Sequence, residues 1–248
     1  MSNNPVWRES VAVFFVEGHG YKVYFYMLAT LAPVQFLSLY VPSLDAQSWS
    51  GSANLFKVCA ITLLLLVVYF SLRVANQEFA PTRFQPVKHW LREQGHGTVF
   101  VGQARLAFLS AHVALSLLLC APLLVWAGAI SRTPLERVGV TFLLLLFYGM
   151  IYGVWGLAAL ALWERRTETR QVFIRCLFVS MVILSALFYL PVNPMAFVLA
   201  YLGQRELQPL TQFGLGWPAA WVHFTFHFLL GGAGCALQCL GLRREAVV

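Results

Sequence analysis

Long apolar runs alternate with short polar interruptions along the whole chain. The runs are Tyr21–Val41, Leu55–Leu72, Val99–Ile130, Val138–Trp163, Val172–Leu190 and Ala219–Leu242. A bilayer-crossing helix needs about 20 predominantly apolar residues, and each run is close to that length or beyond it. The pattern predicts an all-α membrane protein of six transmembrane helices, forming a single transmembrane domain over residues 1–248.

Ahead of the first run, Asn4 followed by Pro5 has the form of a helix start. Trp7, Val11, Phe14 and Phe15 then fall on one helical stripe, with Arg8 and Glu9 away from it. The stretch, about residues 4–17, stops at Glu17-Gly18-His19-Gly20 and is too short to span. It predicts an interfacial helix lying on the membrane. The other reading makes it a helical extension of the first span.

The longest polar interruption in the first half is Thr82–Gly97. Within it Phe84, Val87 and Leu91 share a stripe with Trp90 beside them, while Arg83, Lys88 and Arg92 lie off it. A short basic amphipathic helix, about residues 82–94, can rest on a membrane surface or dock into a groove on a soluble partner. Between the fifth and sixth runs, the segment Pro191–Pro218 opens with two prolines and contains a short apolar stretch, Met195–Leu202. That stretch predicts a half-helix dipping back into the bundle from the outer side, where irregular backbone is tolerated only against protein or water.

Basic residues set the orientation. With the N-terminus inside, only Lys57, Arg132, Arg137 and Arg205 of the 17 lysines and arginines fall outside. The positive-inside rule then gives an N-in, C-in topology. The amphipathic stretch at 82–94 becomes cytoplasmic, and the proline-started segment becomes external.

Composition agrees with the pattern. The chain has 248 residues, 59% hydrophobic and 11% charged, with mean hydropathy +0.70. An ordinary soluble domain carries about 25% charged residues. The net charge of +7 is scattered over loops rather than gathered in a patch, so it does not indicate nucleic acid. The N-terminus has no basic segment followed by an apolar core and a cleavage site, so no removable signal peptide is expected. Five cysteines, Cys59, Cys120, Cys176, Cys235 and Cys239, sit in or beside apolar runs, and none forms a CxxC pair. They read as small hydrophobes. Lys57, Arg105 and Arg175 sit at span ends, where snorkelling accounts for them.

No catalytic constellation, metal-ligand set or phosphate-binding loop is recognisable in the chain. His223, His227, Cys235 and Cys239 follow a four-residue step along the last run. A four-residue step drifts about 40° each time around a helix of 3.6 residues per turn. These side chains are therefore not expected to converge on a metal or haem. They read instead as a small-residue seam with two histidines near its outer end. Gly149, Gly153 and Gly156 on the fourth run allow close helix approach, within the chain or between chains.

The order of parts resembles the type-2 ATP-binding-cassette exporter permeases. An interfacial helix, two spans, a cytoplasmic amphipathic helix, a long third span, two more spans, an outer re-entrant segment and a last span follow in that order. Glu78 after the second run, Gly102 and Arg105 at the start of the third, and Pro191 with Pro194 resemble positions of the family pattern. Phe79-Ala80-Pro81 stands where the family usually has Gly-Thr. The resemblance implies a bacterial inner-membrane exporter subunit that is not itself an enzyme. It implies a dimer with an identical or paralogous permease. It also implies a coupling helix, Phe84, Val87, Lys88, Trp90, Leu91 and Arg92, gripping a separate cytoplasmic ATPase. No cofactor is expected in this chain, and ATP and magnesium belong to the partner. An amphipathic lipid, a hydrophobic drug or a modified peptide suits the apolar spans as cargo. A membrane-embedded enzyme and a non-transporting scaffold subunit are the alternatives.

The topology has a direct test. Single cysteines placed at Gln47 and Gln208 should react with an impermeant reagent from outside, and cysteines at Gln94 and Thr167 should not. Outside labelling at Gln94 would contradict the orientation.

Overall fold

A computed structural model of the chain describes residues 4–16, 19–40, 54–75, 97–163, 166–188, 190–212 and 215–247. The described part is nearly all helical. Helix α1 is Pro5–Val11 and continues as a π-helical turn over Ala12–Val16. Then come α2 (His19–Tyr40), α3 (Leu55–Ala75), α4 (Thr98–Ile130), α5 (Leu135–Leu162) and α6 (Thr167–Phe188). A 3-10 turn at Leu190–Val192 leads to α7 (Pro194–Gly203), a hairpin of β1 (Leu210–Gln212) and β2 (Leu215–Trp217), and α8 (Ala219–Val247). Five of these, α2, α3, α4, α5 and α8, are long and apolar enough to cross a membrane. Helix α6 occupies the fifth apolar run.

The first helix begins where the Asn-Pro pair predicts. The Asn4 carboxamide oxygen accepts from the Val6 and Trp7 amides at 3.0 and 3.3 Å, and Pro5 fills the first turn. The same device starts α7, where Asn193 accepts from Met195 and Ala196 at 2.8 and 3.4 Å ahead of Pro194.

The apolar stripe of this first segment packs against the helix bundle. Phe14 is fully buried, with its ring 5.2 Å from Phe108 of α4 and 6.0 Å from Tyr24 of α2. Trp7 lies 6.3 Å from Phe108, and the Asn4 carboxamide donates to the Phe100 carbonyl at 2.9 Å. The reason is physical: Phe108 offers edge-to-face aromatic partners, worth more than plain area burial.

Helix α5 is the hub. From Tyr148 to Ala161 it is buried on nearly every side, which marks a core helix rather than an amphipathic one. It packs most extensively against α8 and α3. Its glycine seam serves contacts within the chain. A β-carbon at Gly149 would lie 2.8 Å from side-chain atoms of Val67 and Val113, and one at Gly153 would lie 2.5 Å from Leu109. Helices α2 and α8 are the least buried of the five and leave broad apolar faces outward.

Two pairs of neighbouring helices run parallel. Contacts between α2 and α4 join residues 88 apart, and polar contacts between α5 and α8 join residues 75 apart. Helix α3 runs opposite to α4, so Phe56 meets Gly128 while Val67 and Val113 meet at Gly149. Helix α6 turns back beside α5, with Phe173 5.2 Å from Trp163. Its far end leads to Pro191, at the level of Tyr148. At 22 residues α6 is roughly 33 Å long, enough to reach from one end of α5 to that level.

Helix α7 has 10 residues, about 15 Å, and cannot cross a bilayer. Val198 and Leu202 are buried, and the helix packs on α3 and α5. The hairpin after it pairs Leu210 with Trp217 and Gln212 with Leu215. No strand is expected there from the pattern, because three residues are too few to show alternation.

Gly241 of α8 is where backbones touch. A β-carbon there would sit 2.8 Å from the Ala161 carbonyl carbon, which cannot swing aside as a side chain can. Gly232 on the same helix has open space around it. Gly241→Ala should therefore cost about 1–3 kcal/mol of stability by overpacking. Gly232→Ala should be neutral or stabilising by up to about 1 kcal/mol. Thermal unfolding in detergent measures both, and equal effects would refute the close approach.

Candidate functional site in the helix bundle

The sequence places buried polar side chains in apolar helices, and inside hydrocarbon each must find a partner within the protein. Three rungs do this between α5 and α8. The Tyr148 hydroxyl lies 2.6 Å from His223 Nε2, and the Tyr152 hydroxyl 3.2 Å from His227 Nε2. The Trp155 indole donates to the Leu230 carbonyl at 3.2 Å. The offset is 75 residues each time, so the spacing Tyr-x3-Tyr-x2-Trp on one helix meets His-x3-His-x2-Leu on the other. Successive tyrosine–histidine rungs are about 6 Å apart along the axis, one helical turn.

The other ring nitrogens face carbonyl oxygens. His223 Nδ1 is 2.6 Å from the Pro191 carbonyl, and His227 Nδ1 is 2.8 Å from the His223 carbonyl. Carbonyl oxygens only accept, so each Nδ1 carries the proton and donates. Each Nε2 then accepts from its tyrosine. In the uncharged ring both nitrogens are thus satisfied, Nδ1 as donor and Nε2 as acceptor. The rings sit 4.2 Å apart between centroids, and Phe197 of α7 stacks on His223 at 3.9 Å. The cluster therefore ties α5, α8, the turn after α6 and α7 together.

A second polar clamp joins α2 to α4. The Tyr24 hydroxyl lies 3.0 Å from His112 Nδ1, and Gln35 donates to the Leu123 carbonyl at 2.9 Å. Phe14 packs edge-on against His112 at 5.6 Å. His112 Nε2 is buried and has no hydrogen-bond partner among the described residues.

The four-residue track on α8 divides. His223 and His227 are buried and come together, whereas Cys235 and Cys239 are exposed and do not join them. Among the described residues no group of three metal-binding side chains converges. Cys59 and Cys120 are buried, and Cys176 is exposed. Arg105 departs from expectation: it is 3% exposed, inside the bundle near the start of α4, so snorkelling does not account for it. Arg170 is buried as well, donating to the Thr167 hydroxyl at 3.3 Å. Gly102 faces Leu242 of α8. The coupling stretch 82–94 with Phe84, Val87, Lys88, Trp90, Leu91 and Arg92, and Glu78 before it, lie outside the described residues.

Sequence reasoning names the histidines and lists Tyr148 and Tyr152 among the aromatic residues of the fourth run, but it does not pair them. The matched four-residue steps on the two runs were the available signal. His112 and Tyr24 had no such signal, because His112 is the one histidine of its run and Tyr24 is one of four tyrosines in its own.

No protein-family model matches the chain, nor does any curated protein or solved structure.

Tyr148→Phe removes one hydroxyl and leaves His223 Nε2 buried without a donor. The expected loss is about 1–2 kcal/mol, set by the orphaned nitrogen rather than by the bond itself. In a His223→Phe background the same change should cost less than half as much, since no nitrogen is left to orphan. Reversible unfolding in mixed micelles measures the cycle. Equal costs in both backgrounds would show that the two side chains are uncoupled.

Proposed function

We propose that the chain is the membrane permease subunit of an ATP-binding-cassette exporter. It crosses a bacterial inner membrane six times with both ends inside, and it works as a dimer with an identical or paralogous permease. A separate cytoplasmic ATPase binds ATP and magnesium and drives it. The observation that carries this reading is α7: a short helix after the fifth apolar run that returns into the bundle, with Val198 and Leu202 buried, before the last long helix begins. Such an element between the last two spans is what the order of parts along the sequence leads one to look for. The parallel course of α5 and α8 supports α6 as the sixth span, because two parallel neighbours need a return crossing between them. The ends of α3 and α8 and the start of α4 lie on one side, the side that carries most of the basic residues.

On this reading the loop after α3 presents Phe84, Val87, Trp90 and Leu91 to a cleft on the ATPase, while Lys88 and Arg92 meet its acidic rim. Buried aromatic and aliphatic anchors dominate such contacts, and rim charges mainly tune association. The cargo is an amphipathic or hydrophobic molecule suited to apolar walls.

Trp90→Ala combined with Leu91→Ala should strip the ATPase and stop transport, at about 2 kcal/mol or more per anchor, while the helix bundle stays folded in the membrane. Lys88→Ala should do much less. A pull-down that recovers the full complement of ATPase with the double variant would end the coupling proposal.

A further inference from the structure

Near the end of α8 a cavity of about 300 Å³ opens between α8 and the start of α4. That is the lower end of the range for small-ligand clefts. Its walls are Val99 and Leu106 from α4 and Leu242 from α8, with Gln103, Gln238 and Arg243 adding polar groups. It lies outside the tyrosine–histidine cluster and plays no part in the coupling contact.

Gln238 is the unexpected wall. It is 4% exposed and lines the cavity, yet it makes no hydrogen bond to any described residue. Its amide is unpaired among the described residues and opens onto the groove, so it is left for a group held there. Gln103 stands on the opposite wall with its own carboxamide uncommitted among the described residues. Arg243, exposed at the last residue of the apolar span, closes one end with a guanidinium. From the middle of the bundle toward the helix ends, the walls run from Cys235 past Leu106 and Gln238 to Gln103, Leu242 and Arg243, with Val99 at the end.

We infer that this groove holds an anionic phospholipid of the leaflet that faces the N-terminus. An acyl chain lies along Leu106 and Cys235. The glycerol ester carbonyls accept from the Gln238 and Gln103 amides. The phosphate meets Arg243, which makes charge-assisted bonds to phosphate oxygens. A headgroup without a cation of its own is favoured, because the guanidinium repels choline. The inference needs only that the chain lie in a bilayer, and it stands or falls apart from the transport reading.

The test uses the full chain in nanodiscs of phosphatidylglycerol and phosphatidylcholine in equal amounts, with lipids retained on release into the gas phase counted by native mass spectrometry. One phosphatidylglycerol per chain should be held in preference to phosphatidylcholine. Arg243→Gln, at an exposed position, should keep the fold and lower that preference about tenfold, the loss of one charge-assisted contact. Leu106→Trp, which fills the groove from its open side, should remove retention of both lipids. Equal retention of the two lipids by the unaltered chain would overturn the inference. So would a preference untouched by Arg243→Gln. Should a variant lose lipid only because it unfolds, the motionally restricted fraction of spin-labelled phosphatidylglycerol in the unaltered chain decides: a fraction equal to that of spin-labelled phosphatidylcholine is an overturning result.

Discussion

Polar side chains buried among apolar helices need partners within the protein, and here several find them in rungs. Tyr148 with His223, Tyr152 with His227 and the Trp155 indole with the Leu230 carbonyl hold α5 and α8 parallel and in register. Tyr24 with His112 and Gln35 with the Leu123 carbonyl do the same for α2 and α4. Each such bond in a membrane is worth only about 0.6 kcal/mol net. An orphaned partner costs about 1–3 kcal/mol. The rungs therefore fix register by penalising every other alignment. Bulk cohesion comes from packing, where Gly149, Gly153 and Gly241 let backbones approach.

The same cluster sets one end of the bundle. His223 donates to the Pro191 carbonyl and stacks on Phe197, so the turn after α6 and the short helix α7 are anchored to the α5–α8 rungs. A shift of α8 along α5 would break those contacts together. In the permease reading this links the outer re-entrant helix to the helix that ends beside the basic side of the bundle. At the other end, Leu242 meets Gly102 and Val101, and Asn4 reaches Phe100. The N-terminal helix is thereby fastened to the start of α4.

Much of the architecture was legible in the sequence because it rests on local signals. The apolar runs place the long helices, the Asn4-Pro5 pair places the first helix start, and Pro191 with Pro194 mark the break before α7. What was not legible depends on residues far apart in sequence. Tyr148 and His223 are 75 positions apart, and neither side chain alone shows that it has a partner. The stripe of Trp7 and Phe14 has the spacing of an interfacial helix, and its contacts with Phe108 of α4 are not visible in that spacing. Arg105 sits at a span end by counting, yet it is buried. Gln238 is one glutamine in an apolar run until the wall contributed by α4 makes a cavity of it. The proposed coupling residues rest on the sequence pattern at 82–94 alone.

The central functional claim is that this chain transports only together with an ATPase supplied by another polypeptide. The most direct measurement is purification of the tagged full chain from native membranes, followed by ATPase assay of the purified material. The account predicts a co-purifying soluble ATPase in stoichiometric amount, whose turnover changes when the permease chain is removed. A chain purified to homogeneity in a functional state without any ATPase, or an ATPase whose turnover is indifferent to the chain, would contradict it.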